Sequence, residues 1–306
     1  GNMPENNLKQ AMLPVGGTVF ENNHGTAPGA ALEKNGKCVI ILPGPPGELV
    51  PMFNESVRGF LKKYSDGAIV SHTVNIIGMG ESSVAEEIED MFDAKNPTVA
   101  PYAKSGEVRL RITAKAETAD EADKMCAPVV DEICSRLGDV VYGTDMNSIE
   151  ERVVALLKEK GKKIATAESC TAGYIPKRLT DIPGASEVFE CGIVSYSNDI
   201  KTKLLGVSPK TLETYGAVSE QTAREMALGA KHVSGADIAI STTGLAGPGG
   251  DGVLPGGLSF AAVTDGERTV VEKIVTGHGN DREYNRYVTA SRALNLARLM
   301  LEEKMK

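Results

Sequence analysis

The sequence lacks an excess of positive charge: 33 Lys and Arg stand against 41 Asp and Glu in 306 residues, a net charge of −8. A broad nucleic-acid footprint needs a basic face, and so does a resting place on an anionic membrane; the balance argues against both. No apolar run approaches the roughly 18–20 residues of a membrane-crossing helix. No charged-then-apolar segment opens the chain as a secretory signal would. Cysteine is sparse: Cys38, Cys126, Cys134, Cys170 and Cys191 are odd in number, widely spaced and without a CxxC pair. That argues against a disulfide framework and for reduced thiols in a cytoplasm. The four histidines are far apart, so a structural zinc site lacks ligands. Neither His232 nor His278 falls in a motif, which disfavours a Ser-His-Asp triad.

What remains is an ordinary globular composition, 41% hydrophobic and 24% charged. The length suits about two domains or three small ones. Residue 1 is glycine, which reads as a processed, tagged or truncated start, and Asn2 to Gln10 is polar and reads as a loop or arm. The run Cys38 to Leu42 predicts a strand buried on both faces. After Pro43–Glu48 a helix is expected with Leu49, Val50, Phe53, Val57, Phe60 and Leu61 inward. This is half of a β-loop-α unit, so residues 1–66 read as an incomplete domain. Exposed Ile40 and Leu42 would need cover, and a homodimer is expected.

Residues 67–146 read as a small α+β domain of order β-α-β-β-α-β. Val70–Ile77 is a strand, Ser82–Phe92 a helix with Val84, Ile88 and Met91 inward, and Val108–Ile112 a half-exposed strand. Thr118–Leu137 is a second helix, and Val140–Tyr142 closes the block. Residues 147–306 read as a complete α/β domain. It opens on a Ser148-x-x-Glu151 capping box and holds strands near 163–167, 188–196, 236–241, 258–264 and 269–275. It ends on a long helix at 282–303.

Four stretches of this third block carry candidate chemistry. Ser169, Cys170 and Thr171 follow a strand and stand at the expected mouth of a helix, where free N–H groups favour an anion or oxyanion; Ser and Thr also serve there as plain caps. Lys201 follows Ser195-Tyr196-Ser197 in the first turn of a short helix. It is either a solvated surface lysine or, if buried, a base of lowered pKa. Thr243-Gly244-Leu245-Ala246-Gly247 opens a glycine-rich loop at a strand end, where α/β ligand crevices lie, but it fits neither a Walker A nor a dinucleotide fingerprint. Arg282 and Arg286 share a helix face and suit a phosphate or carboxylate, or else pair with Asp281 and Glu283. A hydroxyl and a lysine together form an accepted nucleophile–base variant.

The runs TAESCTAG (166–173), SYSNDIK (195–201), GAVSEQTAREMA (216–227), TGLAGPGG (243–250) and DREYNR (281–286) resemble the carboxyl-terminal domain of the competence/damage-inducible protein A (CinA) family, which includes nicotinamide-nucleotide amidohydrolases. PENNLKQAMLP (4–14), GTAPG (25–29) and ILPGPPGE (41–48) are similar to the tail of that family's molybdopterin-binding-like domain, and residues 67–146 to its KH-type domain. The segment that precedes PENN in the family is not in this sequence. The resemblance implies a mixed α/β fold with these three parts. It implies hydrolysis of nicotinamide mononucleotide to nicotinate mononucleotide and ammonia, with Ser169 as nucleophile, Lys201 as base and Tyr196 supporting the proton relay. Substrate would be held by Cys170, Thr171, Gly173, Thr243, Gly244, Ala246, Gly247 and Arg282 or Arg286. No cofactor is implied for this reaction; a divalent metal is implied only for an intact amino-terminal domain, with its ADP-ribose pyrophosphatase activity. Two departures stand out. Where the family often has a lysine, Gly252–Gly256 carries no positive charge, and Glu81 beside Gly78-Met79-Gly80 would repel a nucleic-acid backbone.

Overall fold

A computed structural model describes residue 9 and residues 12–305, which fall into two compact units dividing between Ala68 and Ile69. The polar arm expected at 2–10 lies outside the described residues except for Lys9, as does most of PENNLKQAMLP.

The first unit holds a three-stranded antiparallel sheet of order β1-β2-β3, with β1 at Thr18–Phe20, β2 at Gly29–Lys34 and β3 at Lys37–Ile41. Here the structure corrects the sequence reading. β3 is not buried on both faces; it ends the strand order, and Val39 and Ile41 are each 61% exposed. Ile40 and Leu42 instead pack on Phe20, Ala31, Met52 and Val57. The missed signal is Asn35-Gly36, both at positive φ, which closes a two-residue hairpin between β2 and β3. The helical stretch is also irregular. α1 (Pro46–Met52) contains Pro51 and runs through a wide π-turn at Phe53–Val57 into α2 (Arg58–Leu61). The extra residue in that turn shifts the apolar phase. Met52 and Val57 are buried, while Val50 and Phe53 face outward.

The second unit begins with β4 (Ala68–Ile77), α3 (Glu81–Glu87), β5 (Thr98–Lys104), β6 (Glu107–Ala116), α4 (Ala119–Leu137) and β7 (Val141–Thr144). Its sheet has the order β5-β6-β4-β7. Val108, Leu110 and Ile112 point inward from β6 against Ala122, Cys126 and Ile133 of α4, as period-2 and period-3.6 spacing require. Thr118 and Glu121 cap α4 reciprocally.

The chain continues into α5 (Ile149–Lys160), β8 (Ile164–Glu168), α6 (Tyr174–Thr180), β9 (Phe189–Val194), α7 (Asn198–Leu205), α8 (Pro209–Tyr215) and α9 (Glu220–Ser234). It ends with β10 (Ile238–Gly244), β11 (Leu258–Thr264), β12 (Thr269–Val275) and α10 (Arg282–Leu301). The capping box expected at Ser148 is half formed. Ser148 accepts the Glu151 amide, but the Glu151 carboxylate takes the Asn147 amide, one residue earlier. The sheet order is β12-β11-β10-β8-β9; β8 pairs parallel to β9 and β10, and β11 and β12 add antiparallel. Helices α5, α6 and α10 pack together on one side, α7, α8 and α9 on the other. β8 is buried throughout, with Ile164 in the core beside α10 and small Ala165 and Ala167 in the core beside α9. The parallel strands β9 and β10 are added on opposite sides of β8, so the loops leaving β8, β9 and β10 open at one carboxyl end.

The back of α9 sets the depth of α7. A Cβ at Gly229 would lie 1.9 Å from the Leu205 carbonyl oxygen, so only glycine lets the last turn of α7 approach this closely.

Candidate active site

The three loops at the end of the sheet meet in a cleft of about 300 Å³, a size suited to a small ligand. Ser169, Cys170, Tyr196, Lys201, Ala217, Thr243, Gly244, Ala246, Gly247 and Arg282 all line it. Thr171, Gly173 and Arg286 do not line it.

Ser169 leaves β8 with its amide still paired to the Thr242 carbonyl at 2.9 Å, and its side chain is 9% exposed. Lys201 enters from α7, which Ser197 caps through the Ile200 amide. Lys201 is 1% exposed, not a solvated surface lysine. Its Nζ lies 3.1 Å from Ser169 Oγ, 2.9 Å from the Ser195 carbonyl oxygen and 3.3 Å from that of Tyr196. Burial holds the amine below the usual lysine range; the nearby Cys170, when ionised, would oppose this.

The turn between Ser169 and α6 differs from the expected helix mouth. Ala172 and Gly173 both take left-handed backbone, and α6 starts only at Tyr174. The first amides of α6 do not face the cleft. The carboxyl of buried Glu168 accepts from Ile175 N–H at 3.2 Å, and the Tyr174 amide donates to the Thr171 carbonyl at 3.2 Å. Burial raises the Glu168 carboxyl above its ordinary range, partly opposed by Thr171 and the Ile175 amide. At Cys170 a helix start would lower the thiol; burial instead pushes it up to about 12.

Tyr196 reaches the pair only through its carbonyl. Its phenol is 62% exposed and accepts from Arg282 Nη2 at 3.4 Å, so the relay expected of the hydroxyl has no hydrogen bond to carry it. Arg282 Nη1 donates to the Gly247 carbonyl at 2.7 Å, at the cleft wall. Arg286, four residues on, turns away and donates from Nη2 to the Thr171 carbonyl at 2.7 Å. Asp281 caps α10 through the Tyr284 amide. The two arginines thus have separate places. Thr243 Oγ1 donates to Ala217, and Thr171 Oγ1 meets Thr242 Oγ1 at 2.6 Å, so both hydroxyls tie loops together. The glycine loop is packed rather than slack: a Cβ at Gly256 would meet the Gly249 carbonyl oxygen at 2.2 Å.

Among the described residues no helix is long and apolar enough to cross a membrane. The family description "CinA C-terminal domain" matches residues 146–301, and "Damage-inducible protein CinA KH domain" matches residues 71–143. A putative competence-damage inducible protein of Clostridium beijerinckii is 53% identical over 91% of this chain and 68% of its own length. A CinA-like protein of Desulfovibrio desulfuricans is 47% identical over 96% of this chain and 70% of its own. Among solved structures, a competence/damage inducible protein of Agrobacterium tumefaciens is 38% identical, covers 50% of this chain and 93% of its own, and superposes with a TM-score of 0.48. With a KH-type sheet, a five-stranded sheet of reversing order and two matching domain descriptions in sequence, the chain belongs to the CinA family.

Proposed function

We propose that this protein hydrolyses the carboxamide of nicotinamide mononucleotide, giving nicotinate mononucleotide and ammonia. The observation that carries the reading is the buried Lys201 amine 3.1 Å from Ser169 Oγ. A neutral amine has two hydrogens and one lone pair. The Ser195 and Tyr196 carbonyls accept the two hydrogens, which leaves the lone pair for the Ser169 hydroxyl proton.

Lys201 takes that proton as Ser169 Oγ attacks the carboxamide carbon. The Cys170 amide, at the cleft wall, receives the oxyanion. The C–N bond breaks, Lys201 returns its proton to the departing nitrogen, and ammonia leaves. Water then attacks the acyl-enzyme and gives a proton to Lys201, which passes it to Ser169 Oγ as the ester C–O bond breaks, so the product acid leaves and Ser169 and neutral Lys201 are restored. Arg282 holds the 5′-phosphate, with the Tyr196 hydroxyl orienting its guanidinium, and the backbone from Thr243 to Gly247 walls the cleft. No metal takes part.

The test is ammonia release from nicotinamide mononucleotide in chelator-treated buffer, with nicotinate mononucleotide formed in equal amount. No release, or release only on adding metal, overturns the reading. Within it, Arg282→Met loses charge-assisted hydrogen bonds worth about 1.5–3 kcal/mol, so KM rises about 10–100-fold while kcat changes little. An unchanged KM would remove Arg282 from phosphate binding.

A further inference from the structure

We infer that Glu168 and Arg286 are positioning residues that grip the Ser169 turn from its two sides and hold the nucleophile against Lys201. The inference rests on the amidase reading. It assigns Arg286 to the protein's own backbone and away from the substrate phosphate.

The turn needs such a grip. Between Ser169 and Tyr174 the chain takes two successive left-handed residues, Ala172 at φ 49° and Gly173 at φ 87°. For alanine this backbone is strained, and it persists only where its surroundings dictate it. Two side chains do so. On the β8 side, the Glu168 carboxyl accepts from the Ile175 N–H, just past the turn, at 3.2 Å. On the α10 side, Arg286 Nη2 donates to the Thr171 carbonyl at 2.7 Å, and its guanidinium lies 5.6 Å over the Tyr174 ring. One group therefore fixes an N–H just past the turn and the other a carbonyl. The Thr171 carbonyl thus accepts both from Arg286 and from the Tyr174 amide at 3.2 Å, inside the turn itself.

Arg286 is itself held in place. The Tyr174 ring beneath it meets Tyr287 edge-on at 6.3 Å, and the Tyr287 hydroxyl donates to buried Glu107 at 3.5 Å. One residue before it, Asn285 Nδ2 donates to the Ala246 carbonyl at 2.9 Å. The first turn of α10 thus ties the glycine loop and the Ser169 turn to one rigid helix. Arg282 reaches the cleft from that same turn; Arg286 does not line it.

The experiment compares wild type, Arg286→Met, Arg286→Lys and Glu168→Gln in the full chain. It reads kcat and KM for nicotinamide mononucleotide, the rate of Ser169 labelling by a fluorophosphonate, and the unfolding midpoint. Misplacing the nucleophile by about 1 Å costs up to about a hundredfold, so Arg286→Met and Glu168→Gln should lower kcat and labelling together by about 10–100-fold, with KM within about twofold. Arg286→Lys, which keeps one donor for Thr171, should recover most of both. If Arg286→Met fails to fold, Arg286→Lys and Glu168→Gln decide the matter through the same split. A raised KM with labelling at the wild-type rate would overturn the inference, because Arg286 would then be binding substrate. Labelling and kcat both at wild type would overturn it too. Wild type that labels at Ser169 but leaves the mononucleotide intact would refute the substrate, and the labelling rates would still judge the grip. Wild type that does neither refutes the amidase reading and this inference with it.

Discussion

Ser169→Ala is expected to abolish ammonia release, by on the order of a millionfold, the loss seen when a serine hydrolase loses its nucleophile. Cys170→Ala should stay within a few-fold of wild type. The two residues adjoin, and both a hydroxyl and a thiol can open an amide, so the physical distinction lies in their surroundings. Ser169 Oγ has the Lys201 amine 3.1 Å away. The Cys170 thiol is buried and held at about 12, so almost none is thiolate at neutral pH. Arg286 and the local amides pull that value down, but burial outweighs them and Glu168 adds to it. Ammonia release with purified Ser169→Ala and Cys170→Ala measures both. Full activity in Ser169→Ala would move the nucleophile to Cys170.

Lys201→Met should cost at least about a thousandfold in kcat, within the range that a positioned base supplies. Lys201→Arg should be equally inactive, because a guanidinium keeps its proton at any pH the protein survives. The pH dependence follows from the sign of the shift. Only the neutral amine can accept the Ser169 proton, so kcat rises as pH rises through the lysine pKa and then levels. Burial lowers that pKa, so the plateau arrives below the ordinary lysine range. A kcat that falls with rising pH, or an active Lys201→Arg, would remove Lys201 as the base. Binding of nicotinate mononucleotide by these variants separates lost chemistry from lost affinity.

How much of this could be read from the residues alone depended on how local the cause was. Elements of the second unit are set by short-range periodicity and caps, and β11 (Leu258–Thr264) and β12 (Thr269–Val275) fall where the sequence spacing puts them. In the first unit a strong apolar run in Cys38–Leu42 concealed a hairpin strand with one exposed face, although Asn35-Gly36 marked the turn. The phase slip at Phe53–Val57 has no signal beyond Pro51. At the site, sequence could place Ser169 and Lys201 at loop ends but not choose between a solvated lysine and a buried one. That choice depends on how closely α7 lies on α9, a contact between residues far apart in the chain. The expected helix mouth behind Ser169 was displaced because Ala172 and Gly173 take left-handed backbone and α6 starts only at Tyr174, and burial, which spacing does not show, raises the Cys170 thiol. Arg282 and Arg286 looked equivalent by spacing. One turn of helix sends them to opposite sides of the Ser169 turn.

The missing side chain at Gly229 has a chemical counterpart on the far side of α7. A single methyl group there would lift Leu205 and tilt the helix that carries Lys201. Water would then reach the amine, and its proton affinity would climb back toward that of a free lysine. The reactivity of the site is therefore adjustable from a position that touches neither substrate nor catalytic atoms.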